Sequence, residues 1–114
     1  ELVSFQDAFL DSLIAKYPFF VKSVIPSGTY MGTNTDVRTP AVRALLVCDA
    51  ATPDRIIYKV TKAFWENIEE IRKVHEKAKL VTLETALDGI SVKVHPGAVK
   101  FYVESGIVVP TPRE

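Results

Sequence analysis

The chain has 114 residues, 47% of them hydrophobic and 25% charged, with 14 basic residues balanced by 14 acidic ones. That length suits one domain with a modest core, and zero net charge argues against a nucleic-acid binder, which usually carries a basic excess or stripe. The lone cysteine excludes an internal disulfide, and no apolar run approaches the ~20 residues of a membrane-spanning helix.

Ser4 is placed to cap a first helix, with Asp7 as a capping-box partner. Phe5, Phe9, Leu10, Leu13 and Ile14 share a face at helical spacing. The Tyr17-Pro18 step ends that helix, because the residue before a proline avoids the helical region. Residues 19–25 are rich in β-branched and aromatic side chains and read as a strand, closed by Pro26 and Gly28.

Residues 27–40 form a crossing of small and turn-forming residues, with Gly28, Gly32, Asn34 and Asp36 as its turn positions. Residues 41–48 read as a second strand, whose run over 44–48 is apolar on both faces, as in a central strand covered on both sides. Cys48, inside that run, reads as a buried thiol. Thr52 as cap and Pro53 at the first position then open a long helix over about 53–75, bent near Asn67. Its stripe is Ile56, Ile57, Val60, Ala63, Phe64, Ile68, Ile71 and Val74. Phe64 and Trp65 are adjacent and point to different sectors, one into the core and one at its margin.

Thr82 starts a short helix that stops at Asp88-Gly89. Residues 90–94 read as a short strand. His95-Pro96 begins the last helix, which Gly106 ends in a Schellman-type turn with Ile107 folding back. The tail over 108–112 is expected to be extended and mobile.

No catalytic set is nominated. His75 and His95 have no ligand pattern around them and read as helix-end residues, so no metal and no cofactor is expected. "SGTYMG" lacks the glycine frame and the lysine of a phosphate loop. No carboxylate pair is set for acid–base work, and the chain does not read as an enzyme.

The ordered pieces "YPFF…VIPSGTYMG…DVRTPAVRALLV", "DRIIYKVTKAFWENIEEI" and "LETALDGISVKVHPGAVKFYVESG" resemble the C-terminal part of the TAXI group. These are solute receptors of tripartite ATP-independent periplasmic (TRAP) transporters. The similarity runs from about Leu2 to Ile107, with departures at Ser27, Met31 and Pro40. It implies an α/β fold, the C-terminal portion of a two-lobed type II periplasmic-binding-protein-like molecule. In that frame residues 1–26 end the second lobe, 27–40 are the interlobe crossing and hinge, and 41–114 complete the first lobe.

The resemblance further implies capture of a small organic anion, an amino acid or dicarboxylate. It implies delivery to the membrane subunits of a TRAP transporter and a periplasmic or extracytoplasmic location, although no stretch here reads as a signal peptide. Gly28 and Gly32 would be hinge positions, and Thr29, Tyr30, Thr33 and Thr39 would line the cleft wall. Two other readings stay open. The crossing could be a plain surface connector, with Tyr30 packed on its own strand. The chain could also be a self-contained α/β interaction domain, homo-oligomeric through uncovered lobe surface.

Overall fold

The computed structural model describes residues 2–111. It is a small mixed α/β structure whose elements run α1 (Asp7–Lys16), β1 (Phe20–Ile25), β2 (Val37–Val42), α2 (Asp54–Glu66), α3 (Ile68–Val74), a 3-10 turn (Glu76–Leu80) and α4 (Pro96–Glu104). The chain divides into two units. Of the described residues, the first takes 2–45 together with Gly89–Ser91; the second takes Leu46–Asp88 and 92–111.

In the first unit β1 and β2 form an antiparallel hairpin, in register from Phe20↔Val42 to Ile25↔Val37. The strand period of two places Val21, Ser23, Ile25, Val37, Thr39 and Ala41 on one face, and these are all buried or half-buried. The residues just before α1 pair along the outer side of β2: Phe5 N donates to Arg38 O at 3.0 Å, and Arg38 N donates to Ser4 Oγ at 3.0 Å. Arg38 therefore turns its backbone away from β1. Pro40, two residues on, has the same parity, so its missing N–H removes no bond from the β1–β2 ladder. Ion pairs tie α1 to the hairpin, with Lys22 Nζ 2.7 Å from Asp11 and Arg38 3.6 Å from Asp7. These are exposed pairs, worth about 0.2–1 kcal/mol each, so Leu10 (1% exposed) and Val37 carry most of the burial.

Ser4 is thus a hairpin partner rather than a helix cap. α1 starts at Asp7, with Gln6 before it making no side-chain cap. The helix ends at Lys16 as the Tyr17-Pro18 step requires.

The second expected strand, over 41–48, is displaced. β2 spans Val37–Val42, and residues 43–48 have no regular structure. Val42 pairs with Phe20, the first residue of β1, so the chain beyond it has no partner backbone in the hairpin. Leu46 and Val47 are exposed, and Cys48 is an exposed free thiol rather than a buried one. The strand expected over 90–94 is likewise absent among the described residues.

In the second unit the predicted long helix is broken at Asn67 into α2 and α3. Asn67 Nδ2 donates to Ala63 O at 2.7 Å, which takes up a carbonyl at the end of α2. Pro53, not Thr52, occupies the capping position, and Asp54 is the first helical residue. The stripe of the long helix is only half covered, since Ile56, Val60 and Val74 are exposed and no residue of α2 is fully buried. Phe64 and Trp65 are both half-buried and meet edge to face at 5.2 Å. The helix expected from Thr82 is instead a run of turns, in which the Thr82 and Thr85 hydroxyls lie 2.9 Å apart. A 3-10 turn at Glu76–Leu80 was not anticipated.

α4 follows its prediction closely. His95 caps it by accepting from Gly97 N at 3.1 Å, with Pro96 at the first position. It closes with Gly106 N on Val103 O and Ile107 N on Tyr102 O, the two bonds of a Schellman end. Past it, Val108 to Thr111 have no regular structure, and Pro112 lies outside the described residues.

Candidate functional site: the hairpin connection

The connection between β1 and β2 carries five of the six positions singled out in the sequence. It holds its shape through its own polar groups. Ser27 N donates to Asp36 Oδ1 at 2.9 Å, bracing the two ends of the loop. Gly28 N donates to Thr33 O at 2.7 Å, and Thr33 N donates to Tyr30 O at 3.0 Å. Gly28 and Gly32 have φ of 77° and 82°, the left-handed region where a side chain costs about 1–2 kcal/mol. A β-carbon at either would meet nothing within 4 Å. The demand for glycine here is therefore one of backbone conformation alone, as a sharp reversal requires.

Thr29, Tyr30 and Thr33 are brought together in this connection. Thr29 spends its hydroxyl locally, donating to Pro26 O at 2.7 Å. Tyr30 is 59% exposed and has no ring partner among the described residues. Thr33 is half-buried. Thr39 is set apart from them: it lies within β2 opposite Ser23, and its hydroxyl donates to Pro40 O at 3.1 Å. At ~3.4 Å per residue it stands roughly 7 Å along the strand from Val37.

Both histidines stand at helix ends, His95 as the expected cap and His75 as an acceptor at the start of the 3-10 turn rather than a cation at the end of α3. His75 Nδ1 accepts from Lys77 N at 3.0 Å at the start of the 3-10 turn, and His95 caps α4. No group of three or more His, Cys, Asp or Glu residues that could hold a metal ion occurs among the described residues.

Chemistry that the sequence reading passed over lies in the second unit. Tyr58 Oη donates to Glu104 Oε2 at 2.6 Å, joining α2 to α4. That bond, helped by desolvation and by the negative charge of Glu104, raises the phenol above its ordinary pKa. Its signal in the sequence was faint, because the partners are 46 residues apart and neither belongs to a recognisable motif.

Comparison with protein families matches residues 1–106 to the model described as the NMT1-like family.

Proposed function

The chain belongs to the NMT1-like family, and from that premise we propose that it is an extracytoplasmic solute receptor, or a portion of one. Domains of that family are related to periplasmic binding proteins. In this reading the receptor captures a small organic anion, an amino acid or a dicarboxylate, and presents it to the membrane subunits of a TRAP-type secondary transporter. The family match over residues 1–106 is the observation that carries the reading. The hairpin connection supports it. Gly28 and Gly32, both in left-handed conformations, shape the turn that presents the exposed Tyr30. Tyr30 and Thr33 supply hydroxyl groups beside them. No covalent step is involved: binding and closure are the whole activity.

The test is isothermal titration of the receptor at its natural length against a panel of dicarboxylates and acidic amino acids. Saturable heat with at least one member is expected, weakened by Tyr30→Ala. A panel with no heat at all overturns the reading.

A second reading has its own motive in the apolar run over 44–48, where Leu46 is 85% exposed. Proteins seldom leave large apolar patches uncovered. A self-contained interaction domain, paired with a second copy through such surface, would account for it. Sedimentation velocity combined with ANS binding separates the two: a discrete dimer that binds no dye favours this second reading.

A further inference from the structure

The second unit carries two adjoining depressions on α4. One is an open groove of ≈ 580 Å³ lined by Lys93, Val94, Pro96, Val99, Val103 and Glu104, among others. The other, of ≈ 400 Å³, lies between α2 and α4 and includes Arg55, Tyr58, Lys59 and Gly97. They share Pro96 and Lys100, so they adjoin along α4 as a shallow trough, with an apolar floor along one part and a basic wall along the other.

The charges in this trough are distributed unevenly. Elsewhere Lys22, Arg38, Lys62, Arg72 and Lys73 are matched by carboxylates, whereas Lys16, Lys77 and Lys79 have no carboxylate partner among the described residues. Arg55, Lys59 and Lys93 have no carboxylate partner among the described residues, and Lys100 instead sits 5.1 Å over the Tyr58 ring. Two carboxylates, Asp54 and Glu104, also line the trough, and Glu104 accepts from Tyr58; four cations against two carboxylates leave a positive excess. Four cations therefore face solvent around a valine-lined floor, in a chain whose total charge is zero.

We propose that this trough docks an acidic amphipathic helix of a partner protein, with its apolar stripe on Val94, Val99 and Val103 and its carboxylates on Arg55, Lys59, Lys93 and Lys100. Helix-in-groove recognition lays the apolar stripe of the docking helix on an apolar floor, which Val94, Val99 and Val103 supply here. The flanking cations add orientation and encounter rate more than raw affinity. A small anion alone would leave the apolar floor unused. The inference does not rest on solute capture, because every residue involved belongs to the second unit and none to the hairpin connection.

Amide chemical-shift mapping tests it on the full chain. The probe is a synthetic three-turn peptide of Leu, Ala and Glu with leucines at helical spacing, and the control is the same peptide with Lys for Glu. Shifts confined to residues 54–59 and 93–104 are expected with the acidic peptide only. Arg55→Glu/Lys59→Glu/Lys100→Glu should weaken binding at least about tenfold, and Val99→Ser/Val103→Ser should weaken it severalfold. The single variant Lys59→Glu, at an exposed position, gives a smaller loss in the same direction if the triple variant does not fold. Succinate or inorganic phosphate producing the same shifts as the peptide, or shifts that persist in the charge-reversed chains, would overturn the proposal. So would an acidic peptide that perturbs none of these residues.

Discussion

A methyl group added at Gly97 would come within 2.2 Å of the Asp54 carbonyl oxygen and 2.9 Å of Tyr58 N. Both are backbone atoms of α2, so neither can swing aside as a flexible side chain would. The two helices approach this closely only because residue 97 has no side chain. Gly97→Ala should therefore push α4 off α2 and destabilise the unit by about 1–3 kcal/mol. Urea unfolding followed by Trp65 fluorescence reads this directly, since Trp65 Nε1 lies 3.4 Å from Tyr102 Oη on α4. An unchanged midpoint would mean the helices do not cross here.

Tyr58 offers a test by pH. Its hydrogen bond to Glu104 needs the phenolic proton, so the folded state raises the pKa above 10. A group raised on folding contributes stability that is complete below its unfolded pKa and lost as pH climbs through the folded value. The interaction should therefore be intact at neutral pH and fade only above about pH 10. The tyrosinate absorbance lost in Tyr58→Phe should titrate late, and Glu104→Gln should bring it earlier. Identical curves in the two glutamate states would remove the bond from the account.

Among the elements, α1, β1 and α4 were the most legible, because each has a local stop signal that tertiary structure does not override. Pro18 ends α1, and His95-Pro96 with Gly106 brackets α4. The strand over 41–48 was misplaced because a continuous apolar run is consistent with a covered strand yet does not say where its partner is. Pairing is non-local, and the partner strand β1 runs out at Phe20, opposite Val42. Ser4 was misassigned for a related reason: its hydroxyl serves Arg38, 34 residues away, instead of the helix beside it. The six candidate site positions were separable only by structure, since Thr39 lies in a strand and the others in a turn.

The hairpin itself rests on a braced connection, and that can be loosened from two sides. Asp36→Ala removes the acceptor for Ser27 N, and Gly28→Ala forces a β-carbon into a left-handed backbone. Each should cost about 1 kcal/mol or somewhat more. The loss should appear as faster amide exchange in β1 and β2, while α2 and α4 keep their protection. Uniform acceleration through both units would show that the effect is not local to the hairpin.

For the molecule as a whole, what needs explaining is where the hydrophobic residues went. Among the described residues only Leu10, Val37 and Leu87 are buried hydrophobics, while Phe9, Leu46, Val47, Val74 and Leu80 are among many large apolar side chains left exposed. A 47% hydrophobic sequence has the means to cover more. The runs that stayed bare are the ones that read as covered in the sequence: residues 44–48 and the outer part of the α2–α3 stripe. Pattern and burial disagree at the same places, which is what a surface made for a further covering layer would produce. The chain by itself should then bind the dye ANS or self-associate as concentration rises. Leu46→Ser/Val47→Ser should reduce dye binding without altering far-ultraviolet circular dichroism, because neither side chain supports the fold. A dye-negative monomer at every concentration would mean that these side chains need no cover, and the argument for a missing layer would fail with it.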